Sequence, residues 1–203
     1  MKLILLMLVP FLALTSCGDD DEPTTATIRG TITVQNADLW EIWQDSGEVQ
    51  LSIFPQFEIA LPPAAPSGKG WGDVPNEYFG PGVPGGRFAL SAPTESITIQ
   101  LVPGQSTYPY SLTVQPGTYS ALALGFRHDF ISNPSTRTAT LGVHWDNPTD
   151  VSYGLVINVP AGPGQFISII NEPAPSVITV AAGDELDIDF TADLGFVNVW
   201  PFR

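Results

Sequence analysis

Apolar and polar residues alternate along most of this chain with a period of two. In the segment 26–35, Ala26, Ile28, Ile32 and Val34 fall on one face, while threonine, arginine and glutamine side chains fall on the other. Successive side chains of a strand point to opposite faces of a sheet, so this pattern is typical of a half-buried strand. It predicts a β-strand with its apolar face on a core.

Similar short apolar segments follow, separated by glycine and proline residues that favour turns. After residue 25 no stripe has the helical period, although 38–44 could form one helical turn or a short strand. We predict an all-β fold, an antiparallel β-sandwich of about eight to ten strands. The other predicted strands are 49–53, 97–101, 110–114, 119–126, 138–145, 153–159, 165–170, 176–180 and 185–194.

The segment 55–87 breaks this rhythm, because glycine and proline residues are concentrated there. A loop that long inside a compact domain is usually functional or disordered. We therefore predict a single sandwich domain over 26–203, with one long Gly/Pro-rich loop inserted at 55–87.

The chain opens with Lys2 and an apolar stretch over 3–14. This stretch is too short to cross a bilayer, which takes about 20 residues, but it fits the apolar part of a signal peptide. It ends in Leu14-Thr15-Ser16-Cys17, which resembles the lipobox of bacterial lipoproteins. The resemblance implies a signal peptide over 1–16 and a lipid anchor, with palmitate, on Cys17.

A polar tether over 17–25 follows, and it contains the acidic run Asp19, Asp20, Asp21 and Glu22. The run resembles the export signal of surface lipoproteins of Bacteroidota, which would carry the domain to the cell surface. It could equally be a solvated spacer, because blocks of like charge are usually extended and disordered. We expect a lipid-anchored protein of the outer membrane, facing either the periplasm or the cell exterior.

Charge narrows the range of partners. The chain has 7 Lys and Arg residues against 21 Asp and Glu residues. Nucleic acid is therefore excluded as an expected partner, since phosphate binding needs clustered basic residues. An anionic membrane surface would repel the domain, so the lipid has to hold the protein there. Cys17 is the only cysteine, so an intramolecular disulfide is also excluded.

Three motifs carry a further resemblance. The segment 110–119 contains Pro116-Gly117 between two apolar segments, 28–32 fits a first strand, and 177–188 fits a closing hairpin. Together they resemble transthyretin-like and carboxypeptidase-regulatory-like domains. The resemblance implies a sandwich of seven or eight strands without chemistry of its own, acting as a surface, adhesion or accessory module. The long 55–87 segment departs from that family.

Candidates for catalysis are few. Hydrolase, zinc-protease and nucleotide-binding motifs are missing from the sequence. Only His128 and His144 could supply an acid–base or zinc site, if the fold brings them together. A calcium site on the acidic stripe of 185–193 is an alternative to a solvated face. We predict a non-catalytic module without a cofactor or metal, and a hydrolase with an unrecognised site remains an alternative.

Aromatic residues in the 55–87 segment are the candidate ligand-binding residues. Trp71, Tyr78 and Phe79 lie outside any alternating strand. They could stack on sugar rings or contact an envelope protein, or they could fold back as a lid on the core. We predict a binding, adhesion or structural accessory lipoprotein, with a glycan-binding lipoprotein as the alternative. The other tryptophans are expected to pack in the sandwich or at its ends, namely Trp40, Trp43, Trp145 and Trp200.

Overall fold

A computed structural model describes residues 23–62, 64–133 and 136–198. The structure is 51% strand and 9% helix, in several antiparallel sheets, which confirms the predicted all-β sandwich class. The strands are Ala26–Gln35 (β1), Gly47–Pro55 (β2), Glu58–Ala60 (β3), Ser67–Lys69 (β4), Trp71–Val74 (β5), Gly86–Ala89 (β6), Glu95–Thr98 (β7), Thr107–Val114 (β8), Gly117–His128 (β9), Thr138–Val143 (β10), Val156–Gly162 (β11), Gln165–Asn171 (β12), Ile178–Val180 (β13), Glu185–Asp187 (β14) and Phe190–Asp193 (β15).

Two sheets enclose the main core. The front sheet consists of β8, β1, β14 and β15, and the middle sheet consists of β7, β2, β9, β10 and β13. Alternating residues of both sheets meet between them, such as Ile28 and Ile32 of β1 and Leu51 and Ile53 of β2, all fully buried. Burial of each such side chain stabilises the fold by about 1.5–3 kcal/mol. The alternation in the sequence therefore predicts this core correctly.

A back sheet of β12, β11, β6 and β5 packs on the other face of the middle sheet. There β9 presents the small residues Ala121 and Ala123, which pack with Trp71, Leu155 and Phe196 in a second apolar cluster. Strand β9 is consequently buried on both faces, which agrees with its nearly continuous run of apolar residues. The back sheet covers only part of the middle sheet.

The segment 55–87 is not one long loop. It contains β3, β4, β5 and the beginning of β6, with the 3-10 helix Asn76–Tyr78 between β5 and β6. Strands of three or four residues are too short to show an alternating pattern, so the sequence gives no signal for them. They raise the number of strands in the described residues to fifteen, above the predicted eight to ten.

The front sheet contains parallel pairing, which the antiparallel prediction did not include. Strand β1 runs antiparallel to β8 and parallel to β14 and β15. The predicted strand over 185–194 is interrupted at Ile188 and Asp189, so it forms two strands along the same edge of β1. Thr191 falls on the same alternating face as the acidic stripe of 185–193, yet it is buried because the turn at 147–150 covers it and Pro148 O accepts its hydroxyl hydrogen bond.

The predicted turn at Pro116-Gly117 and the predicted closing hairpin over 177–188 both connect strands of different sheets. Pro116-Gly117 joins β8 of the front sheet to β9 of the middle sheet, and Tyr119 Oη donates across the turn to Gln115 O at 2.6 Å. The prediction of a closing hairpin is wrong, since β13 pairs with β9 and β14 pairs with β1. Both turns occur where the chain crosses the edge of the sandwich.

The segment 38–44 forms the helical alternative that its sequence allowed. A 3-10 turn at Ala37–Leu39 leads into the short helix Trp40–Trp43 (α1). Trp40 is buried in the main core and Trp43 packs against it, as predicted. Trp145 is half-buried and donates its indole N–H to Asp150 O at 2.9 Å, whereas Trp200 lies outside the described residues.

Candidate functional site

A cleft of about 830 Å³ opens between the middle and back sheets. This volume is within the range of small-molecule sites, roughly 300–1,000 Å³. Its lining residues are Gln50, Ser52, Phe54, Trp71, Tyr78, Phe79, Phe88, Ala89, Leu90, Ser91, Ala92, Pro93, Thr138, Thr140, Leu155 and Ile157. The three aromatic residues singled out in the sequence all belong to this set.

One wall of the cleft is the outer face of the middle sheet. Gln50 and Ser52 alternate along β2 with residues of the main core, so their side chains point away from it. Thr138 and Thr140 of β10 line the same cleft from across β9. Hydroxyl and amide groups therefore cover this wall, which we call the polar wall.

Trp71 forms the base of the cleft and is held rigidly. Its backbone N–H donates to Ser120 Oγ at 2.7 Å, and its indole N–H donates to Gly154 O at 3.0 Å. The ring lies edge-to-face with Phe54, at a centroid distance of 5.2 Å. Because Trp71 is 5% exposed and its indole N–H is satisfied, it shapes the base of the cleft mainly through packing.

Tyr78, Phe79 and Phe88 form the opposite wall, which we call the aromatic wall. Phe79 and Phe88 are tilted by 31° at a centroid distance of 6.0 Å, and Tyr78 stands perpendicular to Phe79 at 4.9 Å. Asn76 fixes this loop, because its Oδ1 accepts the Gly85 N–H at 2.7 Å. Phe79 is 46% exposed, so its ring is available at the mouth of the cleft.

No charged side chain is present among the described residues that line the cleft. The nearest charge in the hydrogen-bond network is Glu48, which accepts from Gln50 Nε2 at 2.9 Å and forms a salt bridge of 3.5 Å with Arg127. The cleft therefore offers aromatic faces, hydroxyls and an amide, but no group that ionises near neutral pH. This chemistry suits binding of an uncharged molecule.

The loop aromatics were predicted either to contact a ligand or to fold back on the core, and the structure places different residues in these two arrangements. Trp71 folds back onto the second apolar cluster, as a lid would, whereas Tyr78 and Phe79 face the cleft. The sequence prediction missed the polar wall, because Gln50, Ser52 and the two threonines look like the ordinary solvent face of their strands. The only available signal was β9, whose apolar residues on both faces imply that a second layer covers the middle sheet.

The two histidines are not brought together. His128 N donates to Arg137 O beside the start of β10, while His144 N donates to Leu122 O beyond its end. His128 is a residue of β9, and His144 lies beside Leu122 of the same strand. His128 and Leu122 are six residues apart along β9, or about 20 Å at the usual rise of a strand. A shared zinc or acid–base site built from His128 and His144 is therefore ruled out by this arrangement.

Arg29 forms ion pairs with two carboxylates of the acidic stripe of 185–193. It forms salt bridges with Glu185 at 2.8 Å and with Asp187 at 2.9 Å. Asp189 Oδ1 accepts the backbone N–H of Thr31 at 2.7 Å. These carboxylates are engaged in holding β14 and the strand interruption against β1.

The last carboxylate of the stripe is similarly engaged. Asp193 Oδ1 accepts hydrogen bonds from Asn36 Nδ2 at 2.6 Å and from the backbone N–H of Gly195 at 2.7 Å. Across residues 23–62, 64–133 and 136–198, no group of three or more His, Cys, Asp or Glu side chains is placed to hold a metal ion. The calcium alternative thus finds no ligand cluster in this part of the chain.

The remaining predicted site residues lie outside the described residues. They are the lipidation residue Cys17 and the candidate export residues Asp19, Asp20, Asp21 and Glu22. Within the part of the chain that the structure describes, no helix has the length and apolar character needed to cross a membrane.

Comparisons with protein-family models, with curated proteins and with solved structures gave no match for this chain. The transthyretin-like and lipoprotein resemblances therefore remain predictions from the sequence.

Proposed function

We propose that the chain is an exported, lipid-anchored lipoprotein of the outer membrane. The support is the apolar stretch over 3–14, its Leu14-Thr15-Ser16-Cys17 ending, and the polar tether that follows. The tether would hold an acidic domain away from an anionic lipid surface. Whether the domain faces the periplasm or the cell exterior depends on the acidic run at 19–22, which could act as an export signal or as a spacer.

We propose further that the sandwich is a non-catalytic binding module, and the cleft between the middle and back sheets carries this proposal. The cleft is mainly apolar, with a few converging polar groups, which is the usual composition of a small-molecule site. Ser52 and Ser91 contribute hydroxyls to the lining, as do Thr138 and Thr140, but none of these hydroxyls contacts a basic side chain among the described residues: Ser52 Oγ shares a hydrogen bond with Ser96 Oγ, and Ser91 Oγ donates to Ala92 O. Binding without a reaction is thus the function favoured by the lining.

A variant that fills the cleft tests this proposal. Thr140→Trp places a bulky ring in the cleft, whereas Thr113→Trp places the same ring on the exposed face of β8 as a matched control. Melting temperatures of the full chain in a nonionic detergent would be measured with three uncharged probes: maltohexaose, an acetylated and amidated trialanine, and decanol.

A ligand at a hundred times its Kd stabilises the native state by about 2.7 kcal/mol. We therefore expect at least one probe to raise the melting temperature of the wild type and of Thr113→Trp, but not of Thr140→Trp. A binding module in this cleft is rejected if none of the three probes stabilises the wild type, or if Thr140→Trp responds like the wild type.

A further inference from the structure

We propose that the cleft binds a neutral carbohydrate, an inference that rests on the proposed binding function. The cleft has two chemically different walls. Phe79 and Phe88 contribute aromatic rings on one side, and Gln50, Thr138 and Thr140 contribute amide and hydroxyl groups on the other. A ligand that fills this space needs an apolar face and a hydrogen-bonding edge in the same molecule. A sugar ring has both, since its C–H bonds form a flat apolar face and its hydroxyls project around the edge.

The aromatic wall suits stacking on such a ring. An aromatic ring carries negative charge density on its face, so the polarised C–H groups of a sugar are attracted to it. Phe79 and Phe88 line the same wall with their ring centroids 6.0 Å apart and their planes tilted by 31°, so two aromatic rings are available for contact with a sugar in the cleft. The exposed ring of Phe79 is at the mouth, where the second ring of an oligosaccharide would extend from the cleft.

The polar wall has hydrogen-bonding capacity to spare. Among the described residues, the hydroxyls of Thr138 and Thr140 have no hydrogen-bond partner, and Gln50 uses its Nε2 on Glu48 while its Oε1 accepts nothing. A purely apolar ligand would cover these groups without replacing their hydrogen bonds to water, which is unfavourable. Sugar hydroxyls can both donate and accept, so they satisfy all three groups.

Charge and topology restrict the ligand further. Among the described residues, no lysine, arginine or histidine lines the cleft, and the chain carries a formal charge of -14, so acidic sugars are disfavoured. Peptides are commonly bound by adding a strand to a free sheet edge. Here both walls use side chains projecting from the sheets and the 76–79 loop, which favours a ligand recognised through its own ring faces and hydroxyls.

Paired phenylalanine variants test the assignment. Phe79→Ala removes the ring at the mouth. Phe130→Ala removes a phenylalanine ring outside the cleft that is more exposed, at 77% against 46% for Phe79. Binding of the full chain to neutral hexasaccharides of glucose, xylose and mannose would be measured by calorimetry. Hexagalacturonate is the acidic comparison, and the capped trialanine and decanol are the non-sugar probes.

We expect at least one neutral hexasaccharide to bind, with a loss of at least tenfold in affinity for Phe79→Ala and less than a twofold change for Phe130→Ala. Phe79→Trp should restore binding, which separates loss of stacking from loss of folding. Binding of only the peptide or decanol would overturn the carbohydrate assignment and leave the binding module standing, whereas binding of no probe defeats both. Hexagalacturonate binding as tightly as the neutral sugars would also overturn it.

Discussion

His144 stands just beyond the end of β10, where its ring is half-buried and its Nδ1 has no hydrogen-bond partner among the described residues. Burial lowers the pKa of this imidazole below its ordinary value, and the nearby charge of Asp146 opposes the shift only in part. The unfolded chain therefore takes up the proton at a higher pH than the folded chain does. Stability contributed by neutral His144 is complete above the unfolded pKa, about 6.5, and is lost as the pH falls below it.

The pH dependence of unfolding checks this effect at a single residue. We expect the free energy of unfolding to fall as the pH is lowered from about 6.5 toward the folded pKa of His144. His144→Gln should flatten this part of the profile, because glutamine fills similar space without titrating. Urea denaturation at several pH values would measure both proteins. Identical slopes below pH 6.5 would show that His144 is not responsible.

Strand pairing depends on a close approach at Gly30, in the middle of β1. The chain opposite is interrupted between β14 and β15, and a Cβ atom on Gly30 would overlap the carbonyl oxygen of Ile188. That oxygen accepts the Tyr110 hydroxyl at 2.6 Å, and the Ile188 N–H donates to Arg29 O at 2.7 Å. The interruption is thus fixed on several sides and has little freedom to move away.

Gly30→Ala should therefore lower the free energy of unfolding by more than the change in backbone preference alone, because the added methyl group overlaps the opposite chain. Gly117 supplies the control, because its φ of 159° is close to the 157° of Gly30 while no atom lies within 4 Å of its added Cβ. We expect Gly30→Ala to lower the free energy of unfolding by about 1–3 kcal/mol more than Gly117→Ala does, the usual cost of forcing an extra methyl group into packed structure. Guanidinium denaturation would measure the difference. Equal losses of unfolding free energy in the two variants would mean that the chain between β14 and β15 moves away from the added methyl group without cost.

At the scale of the elements, the sequence predicts the long strands well and the short ones poorly. Strand β1 has the predicted bounds, and β2, β8 and β9 contain the predicted segments, because several alternating residues repeat the same signal. Strands β3 to β6 have only three or four residues each, with glycine and proline between them. Strand β3 pairs with β4 and β5 pairs with β6, and among the described residues only β6 also pairs with a distant strand, β11; strands this short carry no alternating pattern that would reveal any of these pairings.

For the whole molecule, the proposed anchor and tether predict where the protein is found. Cys17→Ser should release the protein from membranes, because lipid burial contributes about 0.8 kcal/mol per methylene and nothing else in the proposal replaces it. Cell fractionation and labelling with radioactive palmitate would measure the change. Retention on membranes, with continued labelling, would contradict the lipobox.

Neutralising Asp19, Asp20, Asp21 and Glu22 to their amides is the matched control, since it changes the tether and leaves Cys17 intact. This variant should stay on membranes. If the acidic run is an export signal, the variant should also lose its accessibility to protease on whole cells, and unchanged accessibility would identify the run as a spacer.

The sequence by itself determined the all-β class, the apolar face of each long strand and the candidate aromatics, because alternation and composition are local properties. Only the tertiary structure decided that β14 and β15 pair parallel with β1, and that the turn at Pro116 crosses between sheets. The cleft belongs to this second group. Its polar wall looks like an ordinary solvent face in the sequence, and it lines a cleft because residues far apart along the chain pack a third layer beside it.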